Sequence, residues 1–330
     1  RRLPPLDGAP YSGPRSGIGI HGCIFQCQGP RPARSLGRVR GRRGRAAAAA
    51  EALGRIITKN GGEIETGCDV ARILQSKNRA AGVELADGGR IKGASVIASV
   101  TPSQLYGRLL PQDLAPKPVK SFRHGRGNFQ LHYALDAPPD WQVPELADVA
   151  LIHLADGIDS VSKSANEAER GMLPEVPTLC LGQPHRLDPS RCPEGKAILW
   201  VQVPDAPRRI KGDAAGEIPC TPDWSEALRE AFADRIEAIL SAHIKDFDKI
   251  RLARRAYSPA DLQAMNMNLV GGDPYGGQCG IDQFFVFRPF AGSRNGSTAV
   301  KGLTHIGAST HPGPGLGGGS GFNAAKRLGG

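Results

Sequence analysis

Hydrophobic and polar positions fall into regular order from Ala46 onward. Over Ala46–Asn60 the apolar residues Leu53, Ile56 and Ile57 share one side of a predicted helix, which Asn60-Gly61-Gly62 stops. Short strands are expected next, at Glu63–Thr66, Val70–Gln75, Ala81–Ala86 and Arg90–Lys92. The turn clusters Ser76-Lys77-Asn78 and Asp87-Gly88-Gly89 make these a β-meander. Ala94–Ser99 reads as a strand buried on both faces. Thr101-Pro102 then offers an N-cap and a first-turn proline to a helix over Ser103–Leu110, which Pro111 ends.

Between Lys117 and Leu269 the texture changes. Phe129, Leu131, Tyr133 and Leu135 alternate with polar or small residues, and Ile198, Trp200 and Val201–Val203 do so less regularly. Strands of a half-exposed sheet follow, with Pro-rich loops between them. Asp223–Ile244 carries Trp224, Leu228, Phe232, Ile236, Ile239, Leu240 and Ile244 at spacings of three and four, the stripe of a core-facing helix. From Gly271 to Gly330, glycine-rich loops interleave with expected strands at Ile281–Phe287 and Leu303–Ile306, and a helix begins at about Ser320. The fold class is α/β (α+β), with an aliphatic core and a few ring anchors such as Trp141, Trp200 and Phe284. At 330 residues the chain is long enough for two packed domains.

Charge changes the picture at one end only. The chain carries net +10, but residues 1–45 hold ten Arg, no Lys and the single acid Asp7, so the remainder is close to neutral. With six Pro and nine Gly, that segment shows no sustained periodicity, and no packed structure is expected there. A disordered basic tail, an organelle transit peptide and a stretch read out of frame or from a mis-called start are its three explanations. Nucleic-acid binding would rest on this segment alone and lacks interleaved aromatics, so no nucleic-acid partner is expected. The seven cysteines are widely spaced without zinc geometry, which favours a reduced compartment and no metal. With no run of 18 apolar residues and no apolar stretch before a small-residue cleavage site, neither a membrane span nor a secretory signal is expected.

The densest chemical signal is His305–Gly321, with seven glycines in seventeen residues. A strand entering a glycine loop that opens a helix turns backbone N–H groups and the positive helix end toward an anion, and nucleotide phosphate is the natural occupant. Gly313, Gly315 and Gly318 satisfy GxGxxG, but no second strand or ribose-binding acid follows, so this is no complete dinucleotide fold. His311 can steer a proton over a bound cofactor or simply bond the loop backbone; it is the one weak catalytic candidate. His305 is expected to be packed. Asp273 can bind ribose or a cation, or form a turn before Pro274, and Arg288 can hold an anion or pair with a carboxylate.

Gly307–Gly321, with Asn268–Gly277 upstream and Arg288-Pro289 between, resembles the C-terminal signature of phytoene-desaturase-like FAD/NAD(P)-dependent oxidoreductases, and within them the group of pyridine nucleotide-disulfide oxidoreductase domain-containing protein 2. The likeness runs from about Leu53 to Leu328. It implies FAD as cofactor, and an incomplete FAD-binding fold of the two-dinucleotide-binding type with an inserted mixed-sheet substrate domain. Residues 46–116 and 270–330 form the first part, 117–269 the second. By position, the resemblance assigns Val70 to adenine, Ser99, Val100 and Thr101 to the crossover beside the cofactor, and Gly307, Ala308, Ser309, Gly315, Gly317, Gly318 and Gly319 to the loop along the flavin and pyrophosphate. It implies hydride transfer with a hydrophobic small-molecule substrate, in the mitochondrial matrix for a eukaryotic source or the cytoplasm for a bacterial one. Oligomeric state stays open. One departure stands out: no strand–GxGxxG–helix precedes Leu53, and Gly17–Gly22 matches it only by chance, with no apolar strand leading in. The rival is therefore a non-catalytic regulatory or scaffold protein that keeps the flavoprotein shell.

Overall fold

The computed structural model describes residues 47–293, 296–315 and 318–329. The expectations for residues 1–45 and for Gly317 fall outside the described residues. A helix over Ala47–Lys59 leads into the antiparallel meander β1 (Val70–Ser76), β2 (Arg79–Leu85) and β3 (Arg90–Lys92). Next comes β4 (Val96–Ser99), which pairs in parallel with a strand from the far end of the chain, β12 (Leu303–Ile306). Between them lie β5 (Gly127–Leu135), β6 (Leu151–Leu154), β7 (Met172–Leu173), β8 (Leu179–Gly182), β9 (Ala197–Ala206), β10 (Gly212–Asp213) and β11 (Arg251–Tyr257). Five of these form an antiparallel sheet in the order β11-β5-β9-β8-β6, and β7 and β10 make a separate parallel pair.

The larger core lies under that sheet. Phe129, Leu131, Tyr133 and Leu135 of β5 point to one face, beside Ala197, Leu199, Val201 and Val203 of β9, and all are buried. Ile198 and Trp200 therefore take the opposite, half-buried face, as strand alternation requires. The helix Glu226–His243 covers the buried face with Leu228, Phe232, Ile236 and Leu240. Its start is fixed by Ser225, whose Oγ accepts the Leu228 amide at 3.2 Å. Phe232 meets Phe129 edge to face, with ring centroids 5.1 Å apart, and Trp224 lies 5.5 Å from Phe129. On β11, Arg254 reaches Glu230, Asp234 and Glu237 of the same helix at 2.7–3.0 Å and pins it across the sheet.

A second core joins the meander to the parallel pair through Ile73, Ala80, Ala98, Leu105, Tyr106, Leu109, Val300 and Leu303. Here several expectations change. Glu63–Thr66 is not a strand: no strand among the described residues pairs with its backbone, and Ile64 is exposed. β4 is shorter than expected and buried on one face only, with Ala98 inside and Ile97 52% exposed. The helix after Thr101 runs through Pro102–Gln104 into a π-turn over Leu105–Leu109, closed by the Leu110 amide on the Leu105 carbonyl. Thr101 occupies the N-cap position without capping through its side chain. Ile281–Phe287 forms two 3-10 turns, Ile281–Gln283 and Phe285–Phe287, instead of a strand. The Gln283 side chain exchanges two hydrogen bonds with the Arg123 backbone, at 2.8 and 2.7 Å, and so takes the place of a strand ladder. The apolar side of the first helix faces outward, with Leu53, Ile56 and Ile57 exposed.

Because Phe232 is fully buried among rings and aliphatic strands, Phe232→Ala should lower unfolding free energy by about 3–5 kcal/mol in urea titration. A loss below about 1 kcal/mol would mean that helix and sheet are not packed as described.

Candidate functional site

The site begins with the register of the parallel pair. Ser99 lies opposite Ile306, so both strands end together and the chain leaves the same edge twice, as Val100-Thr101 and as Gly307-Ala308. Ligands of open α/β sheets bind beyond such carboxyl ends. Gly307 adopts φ +108°, and a Cβ there would approach Ser99 Oγ to 3.2 Å, so the two segments touch only because this residue is glycine. Its N–H donates to Ser320 Oγ at 3.0 Å, which draws the first turn of the helix Gly319–Leu328 onto the same edge. That helix starts at Gly318 in the left-handed conformation with no side-chain cap among the described residues, and the first amides of such a helix start can meet an anion.

Ser99, Val100, Thr101, Gly307, Ala308, Ser309, Gly318 and Gly319 therefore meet at one edge. Gly315, at φ +147°, and Gly318 have nothing within 4 Å of where a Cβ would stand, so the loop faces open space there. Gly319 is close-packed instead, 2.7 Å from Pro312 Cγ by the same measure. Val70 opens β1 and packs against the core beneath this edge, but among the described residues no hydrogen bond joins it to the glycine loop. Thr101 is held from the other side, its N–H donating to Asn268 Oδ1 at 2.9 Å.

His305 is packed, as expected. Its Nε2 lies 2.7 Å from the Val100 carbonyl, which can only accept, so Nε2 carries the hydrogen. Burial pushes its pKa down to about 4, and the ring is neutral at ordinary pH. His311 is half-buried in the loop, and its Nδ1 is buried without a hydrogen-bond partner. Such an atom is the kind a ligand satisfies.

Of the alternatives open for Asp273 the structure takes the turn, whereas Arg288 departs from both readings. The Asp273 carboxylate is fully buried and accepts from the amides of Gly125, Tyr275 and Gly277 at 2.7–2.8 Å, with His124 Nδ1 at 3.6 Å. Burial raises its pKa, but His124 and the three amides outweigh it and hold the carboxyl below its usual range. It is a turn-former, with no lone pair turned to ribose or a cation. Arg288, 1% exposed, pairs with no carboxylate or anion among the described residues. Its guanidinium donates to the carbonyls of Ala308 at 2.7 Å, Tyr275 at 2.6 Å, Gly277 and Gln278 at 3.2 Å, and Gln283 at 3.5 Å. Ser309 Oγ adds a bond to the Gly276 carbonyl at 2.6 Å. The loop that leaves β12 is thus moored to the 273–288 region by buried polar contacts. The run of glycines around Asp273 and before Arg288 was the available signal, since small residues free many carbonyls for one donor.

Among the described residues no three His, Cys, Asp or Glu side chains are grouped to hold a metal, and no helix is long and apolar enough to cross a membrane.

No family model matches the sequence. Whole-sequence similarity is clear, however. The chain is 27% identical over 292 residues to the pyridine nucleotide-disulfide oxidoreductase domain-containing protein 2 of Mus musculus, covering 84% of this chain and 49% of that protein. It is 28% identical over 267 residues to the zeta-carotene-forming phytoene desaturase of Myxococcus xanthus, covering 81% and 47%. The chain is a homologue of these oxidoreductases. A limonene dehydrogenase chain of Castellaniella defragrans is a further homologue, at 27% identity over 81% of this chain and 51% of its own length. The chain spans about half the length of the curated homologues it matches. A solved oxidoreductase from Methanosarcina mazei superposes with a TM-score of 0.48 at 15% identity, covering 84% of this chain and 53% of that one.

Two outcomes follow from the buried groups. Arg288→Met strands five carbonyls and should destabilise the protein by more than about 3 kcal/mol, read by urea unfolding. A loss under about 1 kcal/mol would show the carbonyls finding other donors. His305 has a folded pKa below its unfolded one, so the unfolded chain binds the extra proton and stability falls as pH drops from about 6.5 towards 4, by about 3 kcal/mol in all. His305→Asn should flatten that part of the stability profile; an unchanged slope contradicts the assignment.

Proposed function

We propose that this chain supplies the cofactor-closing loop and the substrate-facing sheet of an FAD-dependent oxidoreductase that moves hydride between a hydrophobic small molecule and the flavin. The observation that carries the proposal is the meeting of two strand ends, a glycine loop and an uncapped helix start at one edge. The residues present fit the group: a glycine stands where a side chain would close the edge, the loop is open at Gly315 and Gly318, and His311 Nδ1 lacks a partner. The flavin, when bound, supplies the hydride chemistry.

The roles left to the protein are positional. The first amides of the helix Gly319–Leu328 would hold a nucleotide phosphate, and Gly307–Ser309 with Ser99–Thr101 would hold the rest of the cofactor at the same edge. His311 offers Nδ1 to a cofactor or substrate polar atom. The outward face of the large sheet presents Gln130, His132, Trp200, Gln202, Arg255 and Tyr257, with the rings of His132 and Tyr257 5.7 Å apart, a mixed wall in which Trp200 and Tyr257 offer ring surface to a substrate. The names of the phytoene desaturase and limonene dehydrogenase homologues support a hydrophobic substrate.

Titrating the purified chain with FAD and following the flavin absorbance tests the reading. The expected result is a perturbed flavin spectrum and saturable binding, weakened at least about tenfold in Gly307→Val with far-ultraviolet circular dichroism unchanged. An unperturbed spectrum throughout, or equal binding by the variant, would overturn the assignment and favour a shell without turnover.

A further inference from the structure

On the other side of the crossover segment lies a cleft of about 460 Å³ between the start of β5, the end of the helix Gly157–Glu169, the turn after β9 and the segment Val270–Gly272. Its walls carry Arg126, Arg170, Arg208, Arg209, Lys211 and His124 against one acid, Glu169. Arg126 is accounted for: it pairs with the buried Asp205 at 3.0 Å and reaches Glu169 at 3.7 Å. Among the described residues, no ion pair or side-chain hydrogen bond joins Arg170, Arg208, Arg209 or Lys211 to any other group. Like charges gathered in one concavity repel, and a low-dielectric wall focuses their field on the space between them.

Two of these cations are also positioned. A Cβ on Gly271, at φ +61°, would stand 2.6 Å from Arg208 Cδ, and one on Gly171, at φ +88°, would stand 3.0 Å from Lys211 Cγ. Each aliphatic stem lies flat on a bare glycine, which fixes its direction and reduces the freedom lost when a ligand orders the head group. His124, on the same wall, contacts Ser103 Oγ at 3.1 Å, and Ser103 in turn contacts Thr101 at 3.0 Å, so the cleft backs onto the crossover segment.

We propose that this cleft binds a diphosphate group carried by a small molecule. Several unpartnered cations in a confined space call for an anion with several charges, and guanidinium forks match phosphate oxygens in pairs. The cleft lacks the stacking aromatics of a single-stranded nucleic-acid channel and the apolar rim of a membrane anchor. The proposal stands apart from the flavin reading, and its test needs no flavin.

The test is calorimetric titration of the full chain with inorganic pyrophosphate and with ADP, beside sedimentation with phosphatidylcholine vesicles containing phosphatidic acid. Pyrophosphate and ADP should both bind with salt-sensitive affinity. The exposed pair Arg208→Gln/Lys211→Gln should weaken binding about a hundredfold, about tenfold per cation. The pair Lys77→Gln/Lys301→Gln, taken from the shallower basic groove beside the meander, should leave it unchanged. Circular dichroism confirms that each variant is folded. No binding up to roughly millimolar pyrophosphate, an equal loss in both pairs, or binding to vesicles alone would overturn the proposal.

Discussion

The glycine loop after β12 is anchored to the protein interior through Arg288 and Ser309. A loop with so few side chains cannot hold itself in one conformation, because each glycine raises the entropy lost on ordering. Arg288 answers this from inside the protein: buried and without a carboxylate, it joins the Ala308 carbonyl of the loop to four carbonyls of the 275–283 segment. Burial works against its charge and lowers its pKa from the usual guanidinium value, but the side chain stays protonated and acts as a hub of donors. Asp273 is its complement, gathering amides of the same region with a carboxylate held ionised by those bonds. Together they form a polar frame under the strand ends, and the edge where Ser99 meets Gly307 is presented in one geometry because that frame is satisfied.

The frame also connects the two parts of the molecule. His124 and Gly125 lead directly into β5, and both touch Asp273, while Arg123 exchanges hydrogen bonds with Gln283. The large sheet is thus tied to the loop by buried polar contacts rather than by apolar packing alone. A site assembled in this way keeps its geometry only while every donor and acceptor is matched, which gives the single residues of the frame their weight.

Legibility in the sequence followed burial. Alternation in Phe129–Leu135 and the three-four spacing in Asp223–Ile244 were readable because one face of each element is sealed in the large core. The boundaries of the meander and of the terminal helix were readable from their turn residues and glycines. Ile281–Phe287 misled because its apolar residues are not inside: Ile281 is 91% exposed, and the backbone is held by the Gln283 side chain. Glu63–Thr66 looks more strand-like than it is because composition cannot say whether a neighbouring strand is present to pair with it, and Ala94–Ser99, which does pair with β12, is covered on one face only. At the site, the loop and its crossover partner could be identified from glycine spacing and resemblance. The interior roles of Arg288 and Asp273 could not, because they depend on carbonyls and amides that only the folded loop brings together.

Hydrogen–deuterium exchange of the chain with and without FAD tests the central claim most directly. Slowed exchange concentrated at Ser99–Thr101, Gly307–Ser309 and the first turn of Gly319–Leu328 is the predicted result. Unchanged exchange at these three segments in saturating FAD, or protection confined to the outer face of the large sheet, would contradict it.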